Sequence, residues 1–184
     1  NIYVLAQGND QGAAILFYKS KDGGAKFTQA KVLAPPRDRV YEGMALAAYG
    51  FRVAVAWRPA RSNALQVRIS PDRGETFGQP LRFKSSGRES VGLGASLHHI
   101  EMLRVRTITE GPAAGKDGLW LSVLPKGKNA FEKPVLVRQA REIGVDYFLP
   151  PVVAADEMQS LYAWVEPLSA ARSRVYVRRG GYPQ

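Results

Sequence analysis

The sequence has no cysteine. That absence excludes disulfides, thiolate metal sites and a cysteine nucleophile. Histidine is nearly as scarce: His98 and His99 are the whole supply. Two are too few for a multi-histidine metal centre within one chain, so neither a metal nor another cofactor is expected. No apolar run approaches the roughly 18 residues needed to span a bilayer. The opening residues Asn1 to Ala6 carry no initiator Met, basic segment or small-residue cleavage site, and no signal peptide is expected within them. No stretch sustains a 3.6-residue apolar period, and no helix is assigned.

What is present reads as globular. The chain has 184 residues, 45 % hydrophobic and 23 % charged, enough for one domain or two small ones with a real core. Its net charge is +10, and 17 of the 26 cations are arginine.

An internal repeat organises the chain. Ser70-Pro71-Asp72-Arg73-Gly74-Glu75-Thr76-Phe77 follows a strand-like run, Ala64 to Ile69. Upstream, Ser20 to Phe27 follows Ala14 to Tyr18; downstream, Leu124 to Phe131 follows Leu119 to Val123. The three phenylalanines lie about 50 residues apart, within the propeller range. A second apolar run comes after each, and further strand-like runs (Ile2 to Leu5, Val53 to Trp57, Leu103 to Ile108, Leu161 to Val165) fall into the same phase. Short strands between Gly, Pro, Asn and Asp clusters predict an all-β architecture, and four strands per repeat predict a β-propeller. The approximate repeats are 1–48, 49–97, 98–155 and 156–184. Each blade's strands are numbered outward from the axis. The chain then reads as two-three-four, one-to-four twice, and one-two-three. That is about 14 strands, or three and a half blades, below the usual minimum of roughly four. An unclosed propeller would expose sheet edges. The chain is therefore expected to be a fragment, or to be completed by missing blades or by another chain.

Ser70 to Phe77 matches the Asp-box, Ser/Thr-x-Asp-x-Gly-x-Thr/Ser-Trp/Phe, and the chain resembles the sialidase-like (BNR repeat) propellers. Ser20, Asp22, Gly24 and Phe27 repeat the pattern with Lys26 in the Thr position, whereas Leu124 to Phe131 keeps little beyond its phenylalanine. The resemblance implies a structural role for Ser20, Asp22, Gly24, Phe27, Ser70, Asp72, Gly74, Thr76 and Phe77. The Asp accepts hydrogen bonds from the turn, the glycine supplies a positive φ, and the aromatic packs between blades. It also implies a location outside the cytoplasm.

In a propeller the loops joining strands two to three and four to one share a face. Here they run Gln7 to Gly12, Arg58 to Asn63, Thr109 to Gly118, Glu166 to Arg174, Pro35 to Glu42, Ser85 to Ser90, and Arg138 to Tyr147. They gather Arg39, Arg58, Arg88 and Arg141 as candidates for an anionic ligand, because the guanidinium fork binds carboxylate or phosphate bidentately. The resemblance implies an arginine triad, an Asp acid/base and a Tyr–Glu nucleophile pair, for which Asp38, Glu142 and Tyr147 are the catalytic candidates. The family's Arg-Ile-Pro segment is absent. His98 and His99 are expected as an exposed turn pair, and Trp57, Trp120 and Trp164 as inter-blade core.

Three functions compete. The first is a non-catalytic binding or assembly scaffold with an arginine-rich face for an anionic ligand or acidic protein. The second is an exo-sialidase-type glycoside hydrolase with its catalytic set split between this chain and missing blades. The third, nucleic-acid binding, follows from a pI near 10.0. It is disfavoured because the basic residues are dispersed, with no aromatic-flanked stripe.

Overall fold

The structure, a computed structural model, describes residues 1–8, 14–35, 40–59, 63–85, 89–106, 118–139, 150–169 and 172–181. Among them, fourteen strands form four antiparallel sheets. The first holds β1 (Ile2–Gly8), β2 (Ala14–Ser20) and β3 (Lys31–Ala34). Next come β4 (Val40–Tyr49), β5 (Arg52–Pro59), β6 (Ala64–Ser70) and β7 (Leu81–Lys84). The third holds β8 (Glu89–Ala95), β9 (His99–Arg106), β10 (Gly118–Pro125) and β11 (Val135–Gln139), and the fourth β12 (Val152–Ala155), β13 (Gln159–Ser169) and β14 (Arg172–Gly181). Every sheet is a meander in chain order. The sheets form an open series of three, four, four and three strands.

The repeat is visible in the register. Ile2 faces Ser20, Val53 faces Ser70 and Ile100 faces Leu124, so these residues occupy one position in successive sheets. A backbone bond across the base of each hairpin repeats as well. Lys19, Ile69 and Val123 accept from the amides of Thr28, Gly78 and Glu132, each nine residues on.

Period-two alternation puts apolar side chains on both faces of the middle sheets, and three clusters fill the spaces between sheets. Ile15, Phe17 and Leu33 meet Val53, Val55 and Trp57 between the first two. Ala54, Ala56, Leu65 and Val67 meet Val91, Ile100 and Met102 between the second and third. Leu103, Val105 and Leu119 meet Val153, Tyr162 and Trp164 between the third and fourth. Near the inner edge the backbones approach closely: a Cβ on Gly92 would lie 2.0 Å from the Pro151 carbonyl oxygen. No larger residue fits there without displacing β12.

Two expectations need correction. The loop expected from Glu166 to Arg174 is mostly strand: β13 runs on to Ser169, β14 resumes at Arg172, and Glu166 pairs with Arg174. The hairpin register carries through a single irregularity between Pro167 and Ser169, so pairing outlasts the polar composition that suggested a loop. His99 is not exposed. It opens β9 at 3 % exposure, with its ring against the Ser96 hydroxyl, while His98 alone occupies the surface turn. Trp57 and Trp164 are buried and Trp120 is half-buried.

Candidate arginine-bearing loop end

The sheets have two ends. One carries the turns of the β2–β3, β6–β7 and β10–β11 hairpins. At the other lie the last residues of β1, β3, β5, β7, β9, β11 and β13.

At the hairpin end, two turns share one hydrogen-bond pattern. The Ser70 hydroxyl donates to Asp72 Oδ1 at 2.8 Å and accepts from the Gly74 amide at 2.7 Å. Ser20 does the same with Asp22 and Gly24, at 2.7 and 2.8 Å. Asp72 then accepts from the Thr76 amide at 2.8 Å and Asp22 from the Lys26 amide at 3.0 Å. Gly24 and Gly74 have φ of 100° and 81°, the region that glycine enters without strain. The turns differ at one group. The Thr76 hydroxyl adds a bond to Asp72, and with the turn amides this pulls the Asp72 carboxyl down to about 2. Asp22, with Lys26 in that place, is lowered mainly by the Lys26 amide and the Ser20 hydroxyl. The third turn keeps a positive-φ Gly127 but has Leu124 where the serine would stand.

The terminal aromatics act between sheets. Phe77 meets Phe17 of the first sheet edge-on at 5.0 Å, and Phe131 meets Phe83 of the second at 5.3 Å. Phe27 belongs to the first sheet and is 44 % exposed.

The candidate ligand face was expected on the loops beyond these strand ends, and most of its candidates lie outside the described residues: Asp38, Arg39, Arg88, Arg141, Glu142 and Tyr147. Arg58 is described, half-buried near the end of β5 and in register with Glu42. Arg172 and Arg174 are exposed at the start of β14.

Two acids at this end are tied to arginines. Glu89, first residue of β8, receives the Arg104 Nε–H; the two side chains are 1 % and 5 % exposed. Arg104 also donates to the Lys84 carbonyl at 3.0 Å and lies over the Phe83 ring. Glu166 accepts from Arg138 at 3.2 Å and from the Trp164 indole at 3.0 Å. Arg138 lies over Tyr176, which stacks on Trp164 at 5.5 Å. Burial alone would push the Glu166 carboxyl up, but the bonds from Trp164 and Arg138 outweigh it and hold it below the usual range. Glu166 is therefore a carboxylate near neutral pH, a poor proton donor but a firm anchor for Arg138.

A Tyr–Glu pair occurs elsewhere. Tyr162 donates to Glu101 at 2.8 Å, both buried between the third and fourth sheets. Burial, then the Glu101 carboxylate, push the phenol up, so Tyr162 stays protonated as a buried donor. The sequence offered no sign of this pair, because its partners lie 61 residues apart. It also missed a repeated strut between sheets. Arg68 donates to the Leu33 carbonyl at 2.8 Å, and Arg178, at the matching position of the fourth sheet, donates to the Val137 carbonyl at 2.9 Å. Among the described residues, no group of three or more His, Asp or Glu is placed to hold a metal.

No family model and no curated protein matches the chain. Solved structures do. An α-L-arabinofuranosidase from Podospora anserina, in complex with cellotriose, aligns at TM-score 0.51 and 8 % identity, over 96 % of this chain and 58 % of that one. The likeness is one of fold: antiparallel sheets in a propeller-type arrangement. A Hadza microbial sialidase aligns at TM-score 0.49 and 14 % identity, over 83 % of this chain and 29 % of that one. This chain thus spans less than two thirds of either structure. No helix is long and apolar enough to cross a membrane among the described residues.

Proposed function

We propose that this chain is part of an Asp-box β-propeller outside the cytoplasm, a non-catalytic binding or assembly scaffold whose loop end takes an anionic ligand. The observation that carries the reading is the state of the acids at that end. Glu89 and Glu166 are each committed to an arginine, and the Glu166 carboxyl is held below its usual range, which suits an anchor better than a proton donor. Arg39, Arg58, Arg88 and Arg141 are the proposed ligand-binding set, suited to a carboxylate, a phosphate or an acidic protein surface. The Ser–Asp–Gly turns are proposed as structural Asp-boxes, which the closed hydrogen-bond sets of Ser20–Asp22 and Ser70–Asp72 support.

The proposed partner is further propeller blades, on this polypeptide or on another chain, set against the two outer sheets. Exposed Ile2, Val4 and Val32 on one side and Val152, Leu161, Val175 and Val177 on the other support this.

The alternative is an exo-sialidase-type glycoside hydrolase using Asp38, Glu142 and Tyr147 with residues from missing blades. The arabinofuranosidase neighbour, a sugar-cleaving enzyme by its name, is the reason to keep it. The test is paired. N-acetylneuraminic acid and a fluorogenic sialoside are offered to the protein and to its Arg58→Gln variant. The scaffold reading expects saturable binding of the acid sugar, weakened about tenfold in the variant, and background hydrolysis. Hydrolysis above background that disappears in Tyr147→Phe would install the enzyme in its place.

A further inference from the structure

A second site lies at the opposite end of the sheets. Between the β6–β7 and β10–β11 hairpins runs an open groove of about 610 Å³, within the size range of small-molecule sites. Its apolar floor comes from Ile69, Leu81 and Leu124. Its charge is all of one sign among the described residues: Arg52, Lys126 and Lys128 line it, and no described Asp or Glu does.

Arg52 is the informative residue. It opens β5 on the face turned toward the third sheet, and its side chain reaches into this inter-sheet groove. Its Nη1 is buried, yet has no hydrogen-bond partner among the described residues. A guanidinium nitrogen removed from water without a partner is costly, and folded proteins ordinarily supply one. Arg68, Arg104 and Arg178, also between sheets, each donate to a backbone carbonyl of the preceding sheet, although the buried Arg68 Nε has no partner among the described residues either. Arg52 is placed between sheets like these, and the residue lines the groove. Burial also lowers its pKa, as expected of a cation short of compensating contacts. Thr76 and Asn129 are among the uncharged polar residues of the lining.

We propose that this groove binds a small organic oxyanion, a carboxylate or phosphate carried on an apolar body. Arg52 receives the anionic group, Lys126 and Lys128 hold it from the rim, and Ile69, Leu81 and Leu124 cover the body. The site is independent of the loop-end reading, because it uses different residues at the other end of the sheets.

Phenyl phosphate and benzoate are the probes. Inorganic phosphate supplies charge without a body, and benzyl alcohol a body without charge. Binding is followed by amide chemical shifts of the whole protein. The expected result is that phenyl phosphate binds at least about tenfold more tightly than either control, with shifts centred on Lys126 to Asn129 and Thr76 to Gln79. Arg52→Gln should weaken it about tenfold, and Lys126→Gln with Lys128→Gln several-fold, with the remainder lost in high salt. The lysine pair sits on an exposed turn, so it decides the matter if Arg52→Gln does not fold. Equal affinity for all four compounds, shifts confined to the loop end, or wild-type binding by the lysine double variant would overturn the proposal.

Discussion

The middle sheets and the outer sheets are made of equivalent strands, yet equivalent residues meet different surroundings. Val53 and Ile2 occupy the same register position; the first is fully buried and the second 42 % exposed. Val67 and Val177 are likewise equivalent, one fully buried against the third sheet and the other 68 % exposed on the fourth. Phe77 and Phe131 are each seated on the preceding sheet, while Phe27 lies bare. Local propensity does not explain valines on an open face, because a solvated sheet face normally alternates to polar residues. The repeat explains them: the outer faces are built to the same pattern as the inner ones.

The largest expected effect lies inside. Trp57→Ala should cost about 3–5 kcal/mol, measured by chemical denaturation, because it empties the space between the first two sheets. Val177→Ala, on the outer face, should change the stability of the chain alone by no more than about 0.5 kcal/mol. Comparable losses at both positions would erase the comparison.

The struts come next. Arg68→Met should cost about 1 kcal/mol by removing the bond to the Leu33 carbonyl, and Arg178→Met less, because Arg178 is exposed. Thermal melts of the two variants rank them, and an inverted order would mean the fourth sheet is the better anchored.

His99 gives a pH effect. Burial first of all lowers its pKa, partly opposed by Glu101, so the folded state favours the neutral ring. Its stabilising share is complete above the unfolded value of about 6.5 and falls away as the pH drops below it. Melting temperature should therefore decline between about pH 6.5 and 5 more steeply in the parent protein than in His99→Gln. Parallel curves would remove His99 from the account.

The smallest effect separates the two hairpins. In an acid titration followed by carboxyl NMR, Asp72 should protonate after Asp22, near pH 2. Thr76→Val should narrow the gap, since the hydroxyl bond is the largest cause of the difference. The Asp72 contribution to stability is present above the usual carboxylate range and lost as the pH falls through about 2.

Much of this architecture was legible beforehand. The spacing of Phe27, Phe77 and Phe131, with Gly and Asp punctuating alternating runs, marks the hairpins and their phase, because turns and period-two patterns are local properties. The order of three, four, four and three strands follows from the same phase. Contacts across sheets were not legible. Glu75 meets Lys19 from 56 residues away, and Glu101 meets Tyr162 from 61. A polar residue in a strand pattern carries no mark of its partner. The burial of His99 depends on Ser96, which a Leu-His-His turn does not reveal. Of the candidate ligand arginines, only Arg58 falls within the described residues, and no pattern distinguished Arg52 from the others.

The outer faces carry the central claim, and solution mass tests it most directly. Sedimentation equilibrium of the 184-residue chain over a range of concentrations should show association to multiples of its 20.2 kDa, as apolar outer faces find one another. Val175→Lys with Val177→Lys should return the single-chain mass while leaving the fold intact by circular dichroism. A parent chain that stays at 20.2 kDa at every concentration would contradict the account.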